Sequence, residues 1–94
     1  MNRRSFGQDR SGRDFSPAWV RAVWGRGRTV RLLDPNEFRQ DVYGHQIRFS
    51  HYGQTASALG WEIDHVVPVA RGGSDDLRNL QPLQWRANRR KGDS

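Results

Sequence analysis

Residues 60–92 read Gly60-Trp61-Glu62-Ile63-Asp64-His65-Val66-Val67-Pro68-Val69-Ala70-Arg71-Gly72-Gly73-Ser74-Asp75-Asp76-Leu77-Arg78-Asn79-Leu80-Gln81-Pro82-Leu83-Gln84-Trp85-Arg86-Ala87-Asn88-Arg89-Arg90-Lys91-Gly92. Trp61 to Val67 is rich in β-branched and aromatic residues and stops at Pro68, as a strand does. The cluster Gly72-Gly73-Ser74-Asp75 then forces a reversal that predicts a second strand over Leu77–Leu83. From Gln84 to Lys91 there is no helix breaker until Gly92, and Arg86, Arg89, Arg90 and Lys91 crowd the C-terminal end, where cations complement the helix dipole. Two strands and a helix make a compact unit, so the predicted class is α+β.

Upstream, Ser16-Pro17 has the form of an N-cap followed by proline at the first helical position. Trp19, Val20, Val23 and Trp24 then recur at three- and four-residue spacing until Gly25-Arg26-Gly27, which predicts a short amphipathic helix. Thr29–Leu33 is predicted as a short extended segment. Asp34-Pro35-Asn36-Glu37 has the elements of a second helix start, with an acidic cap, proline in the first turn and glutamate three residues on. Asp41–Tyr52 places Gly44 between β-branched and aromatic residues, the pattern of a hairpin that carries His45 and His51. The apolar residues Trp61, Ile63, Val66, Leu80, Leu83 and Trp85 are the predicted core, helped by the helix and hairpin before them.

A chain of 94 residues has room for one small domain. Hydrophobic residues make up 34%, below the roughly 45–50% of globular domains, so part of the chain is expected outside any core. That part is Met1–Phe15, read as a flexible basic arm, with the folded domain over 16–94. The absence of Cys excludes disulfides, thiolate-bound zinc, iron–sulfur clusters and a thiol nucleophile. The longest apolar run, Val66–Ala70, contains a proline and is too short for a membrane span or signal-peptide core, so a cytoplasmic protein without membrane contact is expected.

The sixteen basic residues against ten acidic ones give a formal charge of +6. Its distribution is uneven: residues 1–31 hold eight Arg against Asp9 and Asp14, while the remainder is balanced. All but Lys91 are Arg, whose planar fork suits phosphate oxygens, and nucleic acid is therefore the expected partner.

Within residues 60–92, Asp64 and His65 on the first strand and Asn88 on the helix packed across it are placed to converge. Carboxylate and amide oxygens suit one Mg²⁺ or Mn²⁺, which keeps several waters and takes further ligands from a phosphate. An adjacent imidazole, titrating near neutrality, is fitted to deprotonate water. A hard cation beside such a base is the equipment for phosphodiester hydrolysis. Glu62, alternating with Ile63, is open to three roles: supporting the site, facing DNA, or plain solvation.

Asp64-His65, Pro68, Gly72-Gly73, Asn79-Leu80, Asn88 and Lys91, in that order, resemble the HNH endonuclease family over about a third of the chain. The resemblance implies a ββα-metal finger over about 60–92, a preceding short helix and hairpin, one divalent ion, and cleavage of DNA leaving a 3′ hydroxyl. It assigns His65 as general base and Asp64 and Asn88 as metal ligands. Asn79 joins His65 in the catalytic set as the brace that orients the base. Many such proteins add zinc-binding Cys pairs, but Gln84 and Ala87 stand where the second pair would fall, so no structural zinc is expected. Arg86, Arg89, Arg90 and Lys91 become phosphate contacts. The expected enzyme is a monomer or weak dimer that nicks duplex DNA with weak sequence preference. The alternatives are a non-catalytic basic module that binds nucleic acid on the same scaffold, and an RNase.

Overall fold

Ser16 opens the first helix: its hydroxyl accepts the Trp19 amide at 3.2 Å, and α1 runs Pro17–Trp24 until Gly25. Val20, Val23 and Trp24 face inward, whereas Trp19 lies on the exposed side. The computed structural model describes residues 6–92. The predicted extended segment at Thr29–Leu33 is instead a turn, with Leu32 at φ 71°. Asp34 does not cap a helix. Its carboxylate takes the Asn36 amide, and its carbonyl takes those of Glu37 and Phe38, which makes a tight turn that feeds a strand.

That strand, β1 (Phe38–Gln40), pairs antiparallel with β2 (Gln46–Arg48), with Arg39 opposite Ile47. The hairpin therefore begins three residues before Asp41, and Phe49–His51 forms a 3₁₀ turn where a strand was predicted. The Gly44 turn falls inside the predicted stretch.

The quoted segment folds as two antiparallel strands and a helix. β3 (Trp61–His65) and β4 (Leu80–Gln84) pair with Asp64 opposite Gln81 and His65 opposite Leu80. The strands are shorter than predicted, because Leu77–Asn79 is a 3₁₀ turn and Val66–Val67 leaves the ladder. Gly73 is obligatory between them: a Cβ there would lie 1.7 Å from the Val67 carbonyl oxygen. α2 (Trp85–Lys91) starts where the Gln84 side chain accepts the amides of Arg86 and Ala87. Gln84 thus serves the helix at one of the positions where a zinc-binding cysteine pair was sought.

Val20, Val23, Trp24, Ile47, Trp61, Ile63 and Leu80 form one core, and Phe15, Phe49, Tyr52 and Leu77 pack on its margin. The rings of Trp24 and Trp61 lie 5.2 Å apart, which joins α1 to β3. Both indoles find acceptors, Trp24 on the Pro35 carbonyl and Trp61 on that of Phe49. Of the predicted core, Leu83 is buried, but Val66 is 46% exposed because the strand ends before it. Trp85 is half-buried and donates to the Ser57 carbonyl at 2.8 Å.

Residues 1–5 of the predicted arm lie outside the described residues. Residues 6–15 form a tight turn closed by a bridge between Gln8 and Asp14. Asp9 organises it by accepting the Ser11 hydroxyl and the amides of Ser11 and Arg13, which hold its carboxyl below the ordinary value, the Ser11 hydroxyl most of all. The Arg10 amide donates to Asp75 at 3.2 Å, which lays this turn against the loop between β3 and β4.

Candidate active site

Strand alternation separates the two residues of the Asp64-His65 pair. Glu62 and Asp64 share the β3 face that α2 covers, while His65 shares the other face with Trp61 and Ile63. Glu62, Asp64, His65 and Asn88 are all buried, four polar side chains in a short stretch of a small protein. Each must be matched by a partner, because an unsatisfied buried polar group costs about 1–3 kcal/mol.

Asp64 is fully buried. Its Oδ2 accepts the Gln81 amide from the facing strand position at 2.9 Å, and its Oδ1 accepts the Lys91 ammonium at 3.0 Å. Lys91 also donates to the His65 carbonyl at 2.8 Å, so it ties the end of α2 to the end of β3. Glu62 takes both Arg89 Nη2, at 2.8 Å, and Arg89 Nε. That hydrogen bond is the main reason the Arg89 guanidinium titrates above its ordinary value, against the opposing pull of partial burial. The Arg89 guanidinium also lies 4.4 Å over the Phe6 ring.

Asn88 is the distinctive member of the set. Its Nδ2 donates to Glu62 at 2.9 Å, which turns its Oδ1 away from that carboxylate. This Oδ1 is buried and accepts no hydrogen bond among the described residues. An acceptor so placed fits a hard cation, whose preferred ligands are oxygens. With the Asp64 carboxylate on the same helix-covered face, the donor set suits Mg²⁺ or Mn²⁺ better than zinc. Among the described residues no three His, Cys, Asp or Glu side chains gather as a metal cluster, so the protein would supply two oxygens, one of them an amide.

His65 is only 3% exposed at its side chain, and its Nε2 lies 2.8 Å from Asp75 Oδ1. An ionised carboxylate only accepts, so Nε2 carries the hydrogen and the neutral ring keeps its lone pair on Nδ1. Phe15 stands over the imidazole with ring centroids 6.1 Å apart.

Asn79 braces the loop between the strands from both sides of its amide. Its Oδ1 accepts the Val67 amide at 2.8 Å, and its Nδ2 donates to the carbonyls of Val67 and Ser74. The loop carrying Asp75 is thereby fixed relative to β3.

The sequence-predicted residues thus divide. Asp64 and Asn88 lie on one face of β3, His65 on the other, and Asn79 beside neither carboxylate. Of the four predicted phosphate contacts, Arg86 and Arg90 are exposed, whereas Arg89 is engaged with Glu62 and Lys91 with Asp64. Asp75, Gln81 and Phe15 were not anticipated. Alternation alone places Glu62 beside Asp64, but Gln81 becomes visible only once the strand register is known. Asp75 sits in the Gly-rich loop, whose path the sequence does not specify.

Residues 49–94 match the family model described as HNH endonuclease. No curated protein and no solved structure matches the chain. The matched span contains β3, β4, α2 and every residue of the site except those of the turn at residues 6–15. No helix among the described residues is long and apolar enough to cross a membrane.

Proposed function

We propose that this chain, which matches the HNH endonuclease family model over residues 49–94, is a divalent-metal-dependent DNA endonuclease with Asp64 and Asn88 as metal ligands and His65 as general base. HNH nucleases generally act on DNA and use a divalent metal; the assignment of ligands, base and ion to this chain is our reading. The observation that carries it is the buried Asn88 Oδ1, whose amide nitrogen Glu62 engages while the oxygen accepts nothing among the described residues. Bound there, Mg²⁺ or Mn²⁺ would stabilise the negative charge that builds on the phosphoryl and leaving oxygens.

The chain's own groups supply the rest. His65 Nδ1 takes a proton from water as the water oxygen bonds to phosphorus. The P–O3′ bond then breaks, and the departing oxygen takes a proton from solvent, leaving a 5′ phosphate and a 3′ hydroxyl. Asp75 holds the Nε2 hydrogen, keeps the lone pair on Nδ1 and stabilises the imidazolium that forms. Asn79 fixes the loop that carries Asp75. Arg86 and Arg90 contact the backbone phosphates, and the Arg-rich residues 1–31 add affinity that falls with salt as counterions are released. One site cuts one strand, so the product from a supercoiled plasmid is the open circle.

A second reading, a basic module that binds nucleic acid without cutting it, is favoured by one observation. Asp64 and His65 are both satisfied by protein partners, Lys91 and Gln81 for the first and Asp75 for the second. Relaxation of supercoiled plasmid with Mg²⁺, Mn²⁺ or EDTA separates the two. Open circle formed with metal, and lost in EDTA and in His65→Ala, supports the nuclease. Retarded plasmid mobility without any nicking by the wild type supports the binding module instead.

A further inference from the structure

The turn between β1 and β2 has a construction that the nuclease reading does not use. Asp41 is 1% exposed, and its carboxylate collects four N–H donors. Oδ1 accepts the amides of Tyr43 and His45 at 3.0 and 2.8 Å, and Oδ2 accepts His45 Nδ1 and the Gln84 amide, each at 3.0 Å. Gly44, at φ 87°, closes the turn. The last of those bonds reaches across the fold, because Gln84 ends β4 and caps α2. A single buried carboxylate therefore clamps the tip of the first hairpin to the start of the helix that bears Asn88.

The clamped tip exposes what a turn usually hides. Tyr43 is 61% exposed, and its ring packs edge-on to His45 at 6.2 Å. With Nδ1 bound to Asp41, His45 keeps Nε2 as its remaining polar atom. Tyr43 and His45 form one wall of a cleft of about 420 Å³, and Ala87, Arg90 and Lys91 of α2 form the other. Lys91 leads from this cleft to Asp64, its partner at 3.0 Å. The cleft thus joins an exposed aromatic on a clamped turn and two cations to the place where the scissile phosphate is proposed to sit.

We infer that the Tyr43–His45 turn and Arg90 form a binding site for a single-stranded or locally unpaired nucleotide next to the cleaved phosphate. Tyr43 stacks on the base, and Arg90, with His45 Nε2, contacts the adjoining phosphate. An aromatic held on a clamped turn loses little entropy on stacking, and every base offers a π-face, so the site tolerates any sequence. The cationic wall complements the one charge that every nucleotide carries. This inference extends the DNA-endonuclease reading and rests on it.

The test is fluorescence anisotropy of a labelled single-stranded oligonucleotide in EDTA over a range of salt, with plasmid nicking assayed in parallel. Tyr43→Ala is expected to bind roughly tenfold more weakly, with an unchanged salt slope, and Tyr43→Phe to bind as the wild type does. Arg90→Ala is expected to flatten the slope of log affinity against log salt by about 0.7, the value for one phosphate on a single strand. Melting temperatures unchanged from the wild type, expected for exposed side chains, ensure that binding is what changes. Wild-type affinity in both Tyr43→Ala and Arg90→Ala would overturn the inference, and if the wild type still nicks plasmid, the nuclease reading survives it. A wild type that binds no oligonucleotide also overturns the inference. A wild type that binds but never nicks under any metal overturns the nuclease reading on which it rests.

Discussion

The two halves of the molecule bury different chemistry. Between residues 6 and 59 the buried side chains are Val20, Val23, Trp24 and Ile47, with Asp41 the one charged exception. From Gly60 on, buried apolar residues alternate with Glu62, Asp64, His65, Gln84 and Asn88. This second half buries Trp61, Ile63, Leu80, Leu83 and Ala87 as well, but each polar group set among them costs free energy unless it is hydrogen-bonded. The first half completes the core, with Trp24 of α1 against Trp61 of β3. Both halves share one apolar core, and the second also buries the polar groups that chemistry could use.

The sharpest way to break this division is His65→Ala. Loss of a general base is expected to slow plasmid nicking per folded molecule by about 100- to 10,000-fold. A variant that nicks at the wild-type rate would show that His65 belongs with the structural residues. Trp24→Ala attacks the other half, and is expected to cost about 3–5 kcal/mol in urea unfolding. The loss should appear in a single transition shared by both halves, whereas a finger that melts separately would contradict the dependence.

Lys91→Met probes the polar side. Removing the ammonium leaves the fully buried Asp64 without its cation, at a cost of about 3 kcal/mol. Mn²⁺ should restore part of that loss in a thermal-denaturation assay, because the carboxylate regains a positive partner; no restoration would count against Asp64 as a metal ligand. The smallest effect belongs to Ser16→Ala, which removes the α1 cap and should cost about 1 kcal/mol without altering nicking per folded molecule.

The parts legible in the sequence are those governed by local chemistry. Ser16-Pro17 marks the start of α1, Gly72-Gly73 marks the reversal, and Gly92 marks the end of α2. Local signals misled where a turn residue serves a tertiary purpose. Asp34-Pro35 has the residues of a helix start, yet the chain turns there into β1. Phe38-Arg39-Gln40 carries no alternation, and its strand exists because the Asp41 clamp beyond it anchors the hairpin. In the site, residue types and spacing picked out Asp64, His65 and Asn88 as positions of interest, and the family resemblance added Asn79. They could not show which cation meets which carboxylate, since long side chains find partners only in the folded chain. Arg89 on Glu62 and Lys91 on Asp64 are outcomes of that kind.

The central claim is that one divalent ion sits between Asp64 and Asn88, and Mn²⁺ binding followed by electron paramagnetic resonance tests it most directly. One ion per wild-type chain is expected, with binding abolished or strongly weakened in both Asp64→Asn and Asn88→Ala while each remains folded. Wild-type Mn²⁺ affinity in Asn88→Ala, or no bound ion in folded wild-type protein, would contradict the site.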